Sequence, residues 1–438
     1  MICHYTYKEG SYMENEKTVP SWWRIAAIVA AAACVVLAVL FATKPAGTPD
    51  PAKSSASASE QKSASSANLS LVKDGEDPLS LWNDNAPLKK KLTEYVKAAT
   101  DEKSPDFIPV EDRVATFDFD GTLFCETDPN YFDYTMLVYR VTEDPTYKDK
   151  ASDFEKSVAN KIIDQNTNGT KYEELPLEHG QAVASAFKGM TIDEFYNYVH
   201  EFMKQPMPSY TGMTRGGGFY QPMVQVVQYL QANDFDVYIM TGTDRLILRG
   251  IFSDPSCPIK LPLNHILGSD ESLVGSNQGD KDGLDYTFTQ EDKLVTGGTF
   301  MMKTLKENKC YIIQREVGKQ PVLSFGNSSG DFAMDNYAKT NPTYKSAAFQ
   351  LCCDDLEREN GNEKKAKEML ENCEKNDYVP VSMKDDWKTI YGEGVTYNGA
   401  KKSSDSSASS SSSSAASSSA AADSSSVATE SSSSAKAA

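Results

Sequence analysis

Three stretches, at residues 113–123, 235–243 and 320–334, each carry an apolar run that ends in polar residues and Gly, the pattern of strands buried on both faces. Between them the apolar positions change to helical spacing, at residues 153–164 and 191–204. A third such segment, 221–231, leads back to the second strand, and a helix-like run follows that strand at 244–251. An amphipathic helix ending at Gly318 feeds the third strand. Strands that alternate with helices predict a parallel α/β sheet. Thr241 follows Asp118 by 241 − 118 = 123 residues. One strand–helix–strand crossover needs far less, so about a hundred residues form an inserted helical cap, at 127–222, between the first and second strands.

The strand ends carry the candidate chemistry. In an extended strand residues i and i+2 share a face, so Asp118 and Asp120 project together where the chain enters the Gly121-Thr122 turn. Such a pair can hold a hard cation, or one carboxylate can attack phosphorus while the other moves the leaving-group proton. An EF-hand is excluded: the twelfth position from Asp118 is Pro129 and the fifth is Thr122. The second strand ends in Thr241 and Gly242, where a hydroxyl meets the free amides of a helix start; this suits a phosphate oxygen and equally a Thr-capped turn. In the third segment Asn327 and Asp331 lie four apart in a Gly/Ser-rich turn that can approach the same cation. Lys309 is the candidate charge neutraliser, although a Lys in that setting is commonly just solvated.

Taken in order, Asp-x-Asp-x-Thr, a strand ending in Thr, a Lys and the Gly-Asn-Ser-x-Gly-Asp turn resemble the haloacid dehalogenase superfamily of phosphatases over residues 76–395. The resemblance implies a Rossmann-like sheet with an inserted helical cap and a magnesium ion. It implies Asp118 as nucleophile, Asp120 as general acid and base, Thr241 for the phosphate and Lys309 for its charge, with Thr122 and Gly242 beside the substrate. Asp118, Asp120, Asn327 and Asp331 would hold the metal. The last motif departs from the pattern at Asn327, whose amide offers less charge to a cation than a carboxylate. That form of the turn looks like branches near phosphoserine phosphatase and bacterial phosphorylcholine phosphatase. Glu126, where the chain leaves for the cap, is placed to meet a substrate amine, and Arg245 and Arg249 after the second motif are candidates for substrate contact. The aromatic residues of the cap, Tyr131 and Tyr134 among them, read as packing, and Gly216, Gly217 and Gly218 as a flexible hinge back to the core.

Composition narrows the function further. The net charge of −18 opposes nucleic-acid binding and leaves a small phosphorylated metabolite as the expected partner. No Gly-x-Ser-x-Gly elbow accompanies the four His, which sets aside Ser-His-Asp hydrolysis. Of eight Cys, none has zinc-finger spacing. Residues 1–24 form an N-terminal tail. Residues 25–43 run without a charge after Trp22-Trp23-Arg24, long enough for one membrane-spanning helix. Ala31-Ala32-Ala33-Cys34 offers a lipoprotein cleavage site as the alternative. A Ser/Ala/Pro-rich linker at 44–75 and a Ser/Ala tail at 401–438 flank a hydrolase domain at 76–400, expected on the extracellular side of the membrane. The competing expectation is a catalytically weak or inactive phospho-ligand-binding protein of the same fold.

Overall fold

The computed structural model describes residues 77–399, which lie within one compact unit, Leu71–Ala438. The expected membrane segment at 25–43, the linker at 44–75 and the tail at 401–438 lie outside the described residues; among those described, no helix is long and apolar enough to cross a membrane.

A seven-stranded sheet organises the chain. Its strands are β1 (Val114–Phe117), β3 (Asp236–Asp244), β4 (Ile266–Gly275), β5 (Leu294–Met302), β6 (Leu323–Gly326), β7 (Ala347–Cys352) and β8 (Val379–Ser382). They lie in the order β5-β4-β3-β1-β6-β7-β8, and every neighbouring pair is parallel except β4 with β5. The three motif-bearing strands are therefore adjacent, so their carboxyl ends open onto one place. All four residues of β1, β6 and the register partners on β7 are buried, as a central parallel strand requires. Register aligns Phe117, Phe325 and Phe349, whose rings stack at 4.1 and 4.8 Å and clamp the three strands together.

Helix α1 (Pro87–Thr100) buries Leu88, Leu92, Val96 and Ala99, one stripe at helical spacing. The insertion after β1 contains α2 (Phe132–Thr142), α3 (Asp153–Asn168), α4 (Leu175–Ala186) and α5 (Ile192–Met203). Capping boxes start two of them: Ser152 pairs with Glu155, and Thr191 with Glu194. The chain returns through the short strand β2 (Tyr210–Thr211) and α6 (Gln221–Ala232) to β3, and α7 (Arg245–Ser253) follows. The α8 helix (Glu307–Ile312) runs into a π-helical turn that ends at left-handed Gly318.

Two features differ from the sequence expectation. The Gly216–Gly218 segment is packed rather than loose. Cys125 N–H donates to Gly218 O at 2.8 Å and Tyr220 N–H to Leu123 O at 2.9 Å, so the outgoing and returning linkers run paired. A Cβ at Gly218 would stand 2.9 Å from the Phe124 ring, so glycine is there for close approach. The β4–β5 hairpin, unforeseen from the sequence, ties the insertion to the sheet edge: Gly189 N–H donates to Thr296 O, and Thr296 N–H to Met190 O.

Candidate active site

The first motif is anchored by its own backbone: Asp118 N–H donates to Phe325 O at 2.9 Å, extending the β1–β6 ladder by one residue. The turn after Asp120 needs Gly121. Its φ is +74°, and a Cβ there would stand 1.9 Å from Asn327 Nδ2 and 2.6 Å from Glu126 Cδ. Asn327 and Glu126 thus close around the same glycine, and the amide lies beside the Glu126 carboxyl. An Asp at 327 would set two carboxylates against each other, which gives a physical reason for the neutral residue in the fourth motif.

Lys309 is fully buried on α8 and bridges the first and last motifs. Its Nζ donates to Asp118 Oδ1 at 2.7 Å and to Asp331 Oδ1 at 2.6 Å. Burial disfavours the ammonium, but Asp118 and Asp331 outweigh it and hold its pKa above the ordinary value. Asp331 turns its other oxygen to the backbone N–H groups of Asn327 and Ser328, both at 3.0 Å. The Asp118 carboxyl is pushed up to about 7, by burial and then by Asp331, against the pull of Lys309.

Asp120 is held differently. Thr243 Oγ1 donates to Asp120 Oδ2 at 2.5 Å, while Asp120 Oδ1 is buried without a hydrogen-bond partner. Burial, followed by the charge of Asp133, raises its pKa well above the usual carboxylate range. Two neighbouring aspartates therefore have distinct environments, Asp118 salt-bridged to Lys309 and Asp120 bonded to a hydroxyl alone, the kind of difference that splits a nucleophile from an acid. Thr241 Oγ1 accepts from Thr243 N–H at 3.2 Å, which turns its own proton free for a ligand oxygen.

One cavity of about 130 Å³ is lined by Asp118, Asp120, Glu126, Thr241, Gly242, Lys309, Asn327 and Asp331 together. Two candidate residues are placed elsewhere. Thr122 is buried behind the turn, its Oγ1 3.4 Å from Asn327 Oδ1, so it steadies the amide rather than facing the cavity. Arg249, expected at the substrate, lines a separate cleft with Asp270 and Glu271. It lies one helical turn from Arg245, which is committed to Asp270 and Glu316, so that face of α7 points away from the aspartates. Sequence reasoning missed Thr243, although it shares a strand face with Thr241 and so carried a signal. It also missed Asp133 and Lys303, which line the cavity from α2 and from the residue after β5.

Among the described residues no three His, Cys, Asp or Glu side chains converge on one point, since Lys309 sits between Asp118 and Asp331 and the fourth oxygen donor is an amide. The donor set nonetheless fits a hard divalent cation. It consists of oxygens only, and it gathers carboxylates whose pKa values are raised by burial and then by neighbouring carboxylate charge, which a cation would offset.

No family model matches the chain, and no curated protein matches it. Among solved structures it is similar to a conserved protein of unknown function from Anaerococcus prevotii, at 14% identity and TM-score 0.43 over 70% of this chain and 94% of that one. A cytosolic 5'-nucleotidase IIIB bound to cytidine matches at 10% identity and TM-score 0.38, over 73% and 91% of the two chains. A phosphoserine phosphohydrolase-like protein from Francisella tularensis matches at 11% and 0.29, over 55% and 87%. At such identities and scores, function has to be argued from the site itself.

Proposed function

We propose that this protein is a phosphomonoester hydrolase that works through an aspartyl-phosphate on Asp118. The observation that carries the reading is the bridge of Lys309 between Asp118 and Asp331, with Asp120 unbridged beside it and its pKa raised by burial. The four motifs of the haloacid dehalogenase pattern supply these residues in order, which supports the same conclusion.

Asp118 Oδ attacks phosphorus as the P–O bond to the leaving alcohol breaks, and Asp120 gives its proton to that alcohol. Its raised pKa keeps the proton available, and the Thr243 hydroxyl on Oδ2 leaves Oδ1 as the donor atom. Water then attacks phosphorus, Asp120 takes up the water proton, and the bond from phosphorus to Asp118 breaks. Lys309 offsets charge at the attacking carboxylate, while the Thr241 hydroxyl and the Gly242 amide orient phosphate oxygens. Magnesium, held by Asp118, Asp120, Asn327 and Asp331, would supply charge neutralisation for the transferring group. The cavity is well below the roughly 300 Å³ at which drug-sized pockets begin, which favours a small phosphorylated metabolite. Glu126 on the cavity wall remains a candidate partner for an amine on that metabolite. We infer further that residues 25–43 anchor the domain at the outer face of a membrane; protease access to intact cells reads this out.

The test is phosphate release by residues 70–400 from p-nitrophenyl phosphate and small alkyl phosphates, with magnesium or a chelator, beside Asp118→Asn. Magnesium-dependent turnover that the variant lacks is expected. Binding of phosphorylated compounds with no turnover would instead support the inactive ligand-binding reading.

A further inference from the structure

Beyond the aspartates the cavity ends in a wall built from α2, α4 and the residues that follow β5, with Tyr131, Tyr134, Pro176 and Leu305 around two charged groups, Asp133 and Lys303. Lys309 is doubly paired, but Lys303 has no ion pair or side-chain hydrogen bond among the described residues. It influences Asp133, Asp244 and Asp120 only through space. Asp133 is 1% exposed and its Oδ1 has no partner; its Oδ2 is 3.8 Å from His179 Nδ1, whose ring packs on Tyr134 at 4.0 Å. A cation and a carboxylate thus line one small cavity without meeting each other. Lys303 is half-buried and Asp133 fully buried; leaving the buried carboxylate oxygen unpaired is costly, and a ligand that satisfies it while pairing with the ammonium recovers that cost.

We propose that Lys303 and Asp133 form the leaving-group subsite and that the substrate is the phosphate monoester of a small hydroxy acid. Its carboxylate pairs with Lys303 and a neighbouring hydroxyl donates to Asp133 Oδ1. A neutral alcohol would leave the ammonium unpaired. The inference rests on the phosphatase reading. Both residues are specificity determinants here, with no part in the bond-breaking steps.

The experiment compares phosphoglycerate with glycerol phosphate, which differ in a carboxylate against a hydroxymethyl group, for the wild type, Lys303→Met and Lys303→Arg with magnesium. The wild type is expected to have the higher kcat/KM on phosphoglycerate. Lys303→Met should cut the ratio of the two kcat/KM values by about ten- to a hundred-fold, and Lys303→Arg should keep most of it. A wild type without preference, or an equal loss on both compounds in Lys303→Met, would overturn the proposal, since a lysine that merely balances Asp120 and Asp244 acts on both alike. If neither compound is turned over while p-nitrophenyl phosphate is, the hydroxy-acid proposal fails and the phosphatase reading stands; if none of the three is turned over, the phosphatase reading itself fails. Calorimetry with the same two compounds then reads the subsite by binding: preference for phosphoglycerate that Lys303→Met abolishes supports it, and equal affinities overturn it.

Discussion

Thr243→Val isolates the role assigned to Asp120. The substitution keeps the shape of the side chain and removes the hydroxyl that donates to Asp120 Oδ2 at 2.5 Å. Since Asp120 Oδ1 has no partner either, the carboxyl would lose its one side-chain hydrogen bond. A hydrogen bond to a neutral group contributes about 0.5–1.5 kcal/mol, so kcat/KM should fall by about two- to ten-fold. The loss should depend on the leaving group. An alkyl phosphate needs its oxygen protonated as the bond breaks, whereas p-nitrophenolate leaves with little help, so the deficit belongs mainly to alkyl phosphates. The Thr243 bond also lowers the Asp120 pKa against the effect of burial. Without it the group releases its proton at higher pH, and the pH at which it can act as a base moves up. The assay is kcat/KM against pH for both substrate types, with Thr243→Ser as the variant that restores the hydroxyl. Equal losses on both substrates, or wild-type rates in Thr243→Val, would refute the assignment.

Other expectations follow from the same contacts. Lys309→Met leaves two buried carboxylates without their counter-charge, at a cost of about 3–5 kcal/mol; activity should be lost and the Tm lowered, more at pH 8 than at pH 5, and retained activity would contradict the bridge. Gly121→Ala forces a Cβ against Asn327 at a positive φ; a folded protein with little activity, seen by circular dichroism and phosphate release, is expected. Asp335 is buried, accepts from Ser324 Oγ at 2.6 Å and from Gln350 Nε2, and its pKa is pushed up to about 8 by burial and then by Asp331. Its folded pKa lies above the unfolded value of about 3.9, so the wild type loses stability as pH rises from about 4 to 8, where the unfolded chain has already released the proton. Asp335→Asn should flatten the Tm-against-pH curve in that window, and parallel curves would show that the group does not titrate as placed.

The chemistry-bearing strands were legible because a parallel strand buried on both faces reads as an apolar run that gives way to polar residues and Gly, as happens after Val114–Phe117 and at the end of Leu323–Gly326. The cap was legible from apolar spacing, which placed α3 and α5; the structure adds the capping boxes at Ser152 and Thr191. Helix α2 was not, since its aromatic and apolar residues face the core on several sides and blur the helical period. The β4–β5 hairpin carries polar residues on an exposed edge, so nothing in residues 266–302 announced that it would deliver Lys303 to the cavity. Arg249 illustrates the converse: proximity to Thr241 in sequence suggested the substrate, but one turn of helix directs it to another cleft.

The central claim is a covalent phosphoryl group on Asp118. Rapid acid quench of the enzyme turning over a labelled phosphate monoester, followed by peptide mapping, tests it most directly. The account predicts label on the peptide that carries Asp118, at a level that rises when Asp120→Asn slows the second step, and none in Asp118→Asn. Turnover with no label on that peptide at any quench time would show that water attacks the substrate directly and would contradict the account.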